Sequence, residues 1–151
     1  MSPEGAGAAL SAPEYVGFWK RFVAFLIDCF ILVILLTPLL WAIYGREYFN
    51  PAREGFAGVW DFVINVILPM IAAIIFWKTR GATPGKMAIA AKIVDAKSGA
   101  APSTGQCIVR YFAYLVSMLP VGLGFLWIAI DRRKQAFHDK IAGTVVIRKR
   151  R

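Results

Sequence analysis

The chain has 151 residues, of which 58% are hydrophobic and only 18% charged, and its mean hydropathy of +0.58 exceeds what a soluble domain of this size needs for its core. These values exclude an ordinary soluble enzyme and predict a mainly α-helical integral membrane protein with one domain. The net charge of +9 comes from 18 Lys and Arg against 9 acids. In a membrane protein such an excess indicates topology and contact with anionic lipid headgroups, so we expect no nucleic-acid partner.

Residues 1–14 are rich in Ala, Gly, Ser and Pro and predict a mobile tail, which leaves 15–151 as the single membrane domain. Phe18 and Trp19, followed by two cations, are typical of an anchor at the cytoplasmic headgroups and place the amino terminus inside the cell. The first transmembrane helix is expected over about 22–44.

One acid, Asp28, lies within this apolar run. It follows Arg21 by seven residues, close to two helical turns, so the two side chains share a face. With Arg21 at the headgroups, Asp28 lies about a third of the way into a hydrocarbon layer of about 30 Å. An ionised carboxylate near the membrane centre costs about 2.5–3.5 kcal/mol. Asp28 is therefore expected to face protein and to have a partner.

A second transmembrane helix is expected over about 59–77. The connector before it carries balanced charges and should be external, whereas the basic stretch that follows, about 78–106, should be cytoplasmic. Asp61 and Asn65, near the outer end of this helix, are four residues apart and therefore lie on one face. They form a secondary outer polar group.

Two short alternating segments, about 92–95 and 143–147, read as strands that could pair in the cytoplasm. Just before the first of them, Thr83 and Pro84 suit the start of a short helix lying at the membrane interface. The sequence TPGK at this point does not form a phosphate-binding loop, because the first glycine and the Ser or Thr that holds magnesium are missing.

The third hydrophobic segment, about 107–130, is broken by Pro120, Gly122 and Gly124. Both of its flanks are basic and should lie on the cytoplasmic side, which conflicts with a simple crossing. Each arm has about twelve residues and reaches only about 18 Å. A re-entrant or helical hairpin is favoured, and a third crossing is the alternative.

Arg110 lies a few residues into the third segment and is expected at about the same depth in the membrane as Asp28. It is therefore the first candidate partner of Asp28, ahead of Arg21 and His138. Three roles for Asp28 remain open: a structural ion pair with Arg110, a group that exchanges a proton or binds a cation, or a protonated and inert side chain. His138 and Asp139 form the other polar group, at the inner mouth. A proton shuttle is conceivable there, but holding a turn is the favoured role.

The residues assemble no nucleophile with its base, and a lone histidine with two separated cysteines does not make a zinc site. We therefore expect no enzyme activity, no catalytic residues, no metal and no cofactor. The candidate ligand- or ion-binding residues are Asp28, Arg110 and Arg21.

Three pieces carry a family resemblance: WKRFVAFLID at 19–28, RGATPGKMAIAAKIVDAKSG at 80–99 and QAFHDKIAGTVVI at 135–147. In this order and spacing they resemble the RDD family of small bacterial membrane proteins, named for one arginine and two aspartates. The resemblance implies that these residues are Arg21, Asp28 and Asp139, and that Arg110 matches an arginine common in the family. It also implies transport of an unidentified ligand, with cation/proton exchange in some members.

Two functions follow as expectations. The first is a small, transport-related protein of the inner membrane, with a proton or monovalent cation as ligand and a homo-oligomeric state, because so few spans enclose little volume. The second is a non-transporting assembly or adaptor subunit in which the same polar residues lock helices together.

Overall fold

The fold is described from a computed structural model over residues 12–119 and 122–149. Most of the predicted tail, residues 1–11, and the predicted break at Pro120 lie outside the described residues. The elements are a long first helix, a helical rod in three parts, and a group of short helices with a two-stranded sheet. Their bounds are α1 (Phe18–Tyr44), a 3₁₀ turn (Arg46–Phe49), α2 (Val59–Phe62), a π turn (Val63–Ile67), α3 (Leu68–Arg80), α4 (Pro84–Ala88), β1 (Ala91–Asp95), α5 (Thr104–Met118), α6 (Leu123–Ile130), α7 (Phe137–Ala142) and β2 (Thr144–Arg148).

Two helical stretches, Phe18–Tyr44 and Val59–Ala88, are long and apolar enough to cross a membrane. At about 1.5 Å per residue, the 27 residues of α1 extend about 40 Å, which exceeds a hydrocarbon layer of about 30 Å. α2, the π turn and α3 continue one another with right-handed helical backbone at both junctions. The expectation of two long apolar helices is confirmed. α1 begins a few residues before its predicted start, and α3 ends a few residues after the predicted end of the second helix.

The predicted pairing of two short strands is confirmed. β1 and β2 are antiparallel, with Ala91 opposite Arg148 and Asp95 opposite Thr144. Each strand lies within one residue of its predicted position. Tyr15 extends the pairing by an isolated bridge to Ile147, so the residues just before α1 are attached to the sheet.

The third hydrophobic segment forms two helices, α5 and α6, rather than one. Gly122 takes a left-handed φ of +77° between them, a conformation that glycine adopts without strain. Gly124 packs so closely on α5 that an added Cβ would lie 2.8 Å from Cα of Ser117. α7 then runs back along α5, because His138 contacts Ser117 near the end of α5 while the Gly143 carbonyl accepts a hydrogen bond from Gln106 near its start. Both ends of this region therefore lie at the sheet end of the molecule.

The apolar core also lies at this end. It joins residues from α3, α5, both strands and the segment before α1, namely Val16, Trp77, Ala91, Ile93, Cys107 and Val146. α5 begins with a capping box in which Ser103 accepts from the Gln106 amide and the Gln106 side chain accepts from the Ser103 amide. Packing at the sheet end therefore positions the start of α1 and of α5 beside α7.

Candidate functional site

The centre of the polar cluster is Asp139, which is fully buried between two arginines. Arg21 of α1 donates from Nη1 to Oδ2, and Arg110 of α5 places its Nη1 2.5 Å from Oδ1. The amide of Ala136, just before α7, donates to Oδ2 over 3.0 Å. One carboxylate therefore joins α1, α5 and α7.

Both arginines have further partners. Arg21 donates from Nε to the Val16 carbonyl at 3.0 Å and from Nη2 to the Lys134 carbonyl at 2.6 Å. Arg110 donates from Nη1 to the Thr144 hydroxyl at 2.5 Å. Burial by itself raises the pKa of Asp139, but the charges of Arg110 and Arg21 outweigh it and hold the pKa well below its ordinary value. Asp139 is therefore ionised at neutral pH.

His138 is buried against α5. Its ring stacks on Tyr114 with 4.0 Å between centroids, and its Nδ1 lies 3.3 Å from Oγ of Ser117. Burial lowers the pKa of His138 to about 3, and Arg110 adds to this effect against the opposing charge of Asp139. A neutral, enclosed imidazole agrees with the structural role favoured from the sequence.

The predicted pairing of Asp28 with Arg110 is wrong. Asp28, which is half-buried, accepts from the Thr83 hydroxyl at 2.5 Å and from the Gly85 amide at 2.7 Å. The prediction considered depth along the apolar segments only. It did not foresee that a short polar helix, α7, returns beside α5 and brings Asp139 to Arg110.

Gly85 explains how α4 reaches α1. An added Cβ at this position would lie 2.0 Å from the Ala24 carbonyl oxygen and 2.9 Å from Cγ of Asp28. Only a residue without a side chain lets the backbone of α4 approach this closely. Thr83 has the extended conformation of an N-cap, as predicted, but its hydroxyl donates to Asp28 and does not cap the helix.

The outer polar group surrounds Asp61, which is buried at the opposite end of the long helices. Its two oxygens accept from the Tyr48 hydroxyl at 2.6 Å, Arg53 Nη2 at 2.9 Å, the Ala57 amide at 2.6 Å and Asn65 Nδ2 at 2.5 Å. The shared face of Asp61 and Asn65 is confirmed. These contacts occupy the carboxylate fully and fasten the connector between α1 and α2 to the rod.

Sequence reasoning missed Lys86 and Thr144. Lys86 follows the glycine that contacts α1 and is only 8% exposed, while Thr144 is fully buried and contacts Arg110. Both lie in segments that carry the family resemblance, 80–99 and 135–147, so the resemblance could have drawn attention to them. Within the described residues, no group of three or more His, Cys, Asp or Glu side chains could hold a metal ion.

Comparison with known proteins agrees with these motifs. The model of the RDD family matches residues 15–143. An uncharacterized Rickettsia prowazekii protein is 41% identical over 87 residues, covering 58% of this chain and 48% of its own length. Two uncharacterized Bacillus subtilis proteins, YxaI and YckC, are 30% and 33% identical, covering 88% and 86% of this chain and 97% and 82% of their own lengths. No solved structure matches. The family model spans most of the chain, and the chain belongs to the RDD family.

Proposed function

We propose that the protein is a multi-pass protein of the inner membrane. The supporting observation is the apolar surface of the long helices, where large side chains such as Phe30, Leu35 and Trp60 are 66%, 62% and 68% exposed. A surface of this kind is far larger than the patches that soluble monomers expose, and a bilayer would cover it. α1 and the α2–α3 rod are the two crossings.

The sheet end is proposed to face the cytoplasm. It carries exposed basic side chains on the turn after β1, after α6 and on β2, including Lys97, Arg133 and Arg148. The connector at the opposite end has balanced charges, in keeping with the positive-inside rule. α5 and α6 are about 22 Å and 12 Å long, and neither is long enough to cross the membrane. They are therefore proposed to form a hairpin that returns to the same side.

Reporter fusions test this topology. A reporter placed after Arg151 and one placed at Lys97 should both be cytoplasmic, and one inserted at Glu54 in the connector should be external. An external signal after Arg151 would refute the hairpin arrangement.

For the molecular role, we infer that the family residues fasten helices in a membrane assembly or adaptor subunit. The observation that carries this inference is Asp139, whose two oxygens are both occupied by arginines in a fully buried place. A carboxylate held in this way joins three helices and is poorly suited to exchanging ions with water. The basic cytoplasmic face would then meet partners or anionic headgroups.

Transport, possible between copies in a homo-oligomer, is the second candidate, and Asp28 is the observation that favours it. This carboxylate is half-buried, and the hydrogen bonds that it accepts from Thr83 and Gly85 hold α4 against α1. Binding of a proton or a monovalent cation to Asp28 would compete with the Gly85 amide and loosen α4, which would couple occupancy to a structural change.

Reconstituted vesicles distinguish the two roles. Purified protein and its Asp28→Asn variant are assayed for flux driven by pH or cation gradients, and both are melted in detergent. The subunit role predicts no flux in either protein and a modest loss of stability in the variant. Flux that disappears in Asp28→Asn, while the melting temperature stays within a few degrees, would replace the subunit role by transport.

A further inference from the structure

Three buried nitrogen donors between α3 and α5 make no hydrogen bond of good geometry within the described chain. Two belong to Arg110, its Nε and Nη2, and the third is the indole Nε1 of Trp77. Arg110 is 1% exposed and Trp77 3% exposed, and the guanidinium carbon lies 5.4 Å from the Trp77 ring centroid. Buried donors are nearly always hydrogen-bonded, so three of them in one place require an explanation.

The geometry of the two Arg110 donors is informative. Nε and Nη2 form one edge of the guanidinium, and this edge matches the spacing of two oxygens of a carboxylate or phosphate. The remaining nitrogen, Nη1, already contacts Asp139 and Thr144. The Nε and Nη2 edge of Arg110 therefore faces no carboxylate in the described chain, and the Tyr114 hydroxyl is its polar neighbour.

Lys86 adds a second cation without a counterion. It is 8% exposed and forms no ion pair with any carboxylate of the described chain. Like Arg110, Lys86 is close enough to Tyr114 and His138 for its charge to lower the pKa of both side chains. The Tyr114 hydroxyl lies beside the guanidinium, where its oxygen can accept from Arg110 while its hydrogen donates to the same ligand.

The charges around these rings do not balance. Arg21, Lys86 and Arg110 place three cations here against two carboxylates, the buried Asp139 and the half-buried Asp28. The rings of Trp77 and Tyr114 stabilise the guanidinium by a cation–π contact, but they supply no negative charge, and Trp77 cannot accept its own N–H. One positive charge is left without a carboxylate partner, and a bound anion would compensate it.

We propose that Arg110, Lys86 and Trp77 form a binding site for a phosphate group, either inorganic phosphate or the headgroup phosphate of an anionic lipid. The Arg110 edge holds two oxygens, the Trp77 N–H binds a third acceptor position, and the Lys86 ammonium neutralises the charge. The site lies between α3, α4 and α5 at the sheet end. It is compatible with either role proposed above and stands independently of both.

The test uses the full chain in a neutral detergent and has two arms. In the first, sodium phosphate is titrated at constant ionic strength while the melting temperature is followed. In the second, native mass spectrometry measures retention of phosphatidylglycerol against phosphatidylcholine. Lys86→Gln and Trp77→Phe remove one donor each while keeping much of the side-chain shape, and Lys97→Gln at an exposed turn is the matched control.

Binding of free phosphate should raise the melting temperature saturably, by about 5 °C or more at a hundredfold excess over Kd. Binding of a lipid headgroup should instead give selective retention of phosphatidylglycerol. In either case Lys86→Gln and Trp77→Phe should weaken binding about tenfold, and Lys97→Gln should match the unmodified protein. Absence of a saturable response in both arms, or an equal response in all four proteins, would overturn the proposal and assign the donors to buried water.

Discussion

Replacing Gly85 with alanine tests how closely α4 must approach α1. The new Cβ would lie 2.0 Å from the Ala24 carbonyl oxygen, whereas ordinary contact begins near 3.4 Å, so the backbones must separate by about 1.4 Å (3.4 minus 2.0). The obstacle is backbone and cannot rotate away. The 2.7 Å hydrogen bond from the Gly85 amide to Asp28 would then stretch beyond hydrogen-bonding distance.

Loss of a hydrogen bond to a charged acceptor costs about 1.5–3 kcal/mol, and overpacking costs about 1–3 kcal/mol. Together, a loss of about 3 kcal/mol corresponds to a fall in melting temperature of about 6–12 °C for a chain of this size. Gly105→Ala is the control, because its Cβ would meet only the Ser103 hydroxyl, at 3.9 Å. Thermal melting in detergent measures both variants. If Gly85→Ala melts within 2 °C of the unmodified protein, α4 does not pack against α1 as described.

Two further predictions concern α7. Asp139→Asn leaves two buried arginines without their shared counterion and should cost about 3–5 kcal/mol, seen as a fall of about 10 °C in melting temperature. The control is Asp131→Asn, at a half-exposed pair with Lys140, which should cost about 1 kcal/mol or less. Equal effects of the two substitutions would contradict the role of Asp139. His138 is the sole histidine, and its folded pKa of about 3 lies below the ordinary 6.5, so the unfolded chain binds the proton more readily and stability falls as pH drops below 6.5. Between pH 7.5 and 5 the loss should be about 2 kcal/mol, and urea unfolding of His138→Phe should show a clearly flatter pH profile over this window; an unchanged profile would show that His138 is not buried in its neutral form.

Periodicity and hydropathy were sufficient to predict the long helices and the strands. The two long apolar helices, the pair of strands and the interrupted third segment all come from patterns that lie within one stretch of chain. The helix start at Thr83 could also be predicted from the local sequence, because proline is favoured at the first position of a helix. Local rules predict elements well where each pattern is long or is marked by such residues.

The partners within the polar cluster were harder to predict. Arg21, Arg110, His138 and Asp139 were all selected as candidates, but in separate groups, and Asp28 was given the wrong counterion. Depth in a bilayer ranks residues along one axis only, whereas ion pairs depend on which helices are neighbours. That arrangement depends on how α7 returns beside α5. Because α7 has only six residues, its sequence pattern is too short to predict this return.

Arg21 and Asp28 of α1 contact the two short helices α7 and α4, respectively. The two residues lie on one face of α1, and each fastens a short helix that directly precedes a strand: Asp28 holds α4 before β1, and Arg21 holds α7 before β2 through Asp139. Because β1 and β2 pair with each other, the two attachments are coupled through the sheet. A shift of either attachment by one residue would turn its side chain about 100° around α1, away from the short helix that it contacts. The arginine and both aspartates therefore connect the first helix to the two short helices that precede the strands.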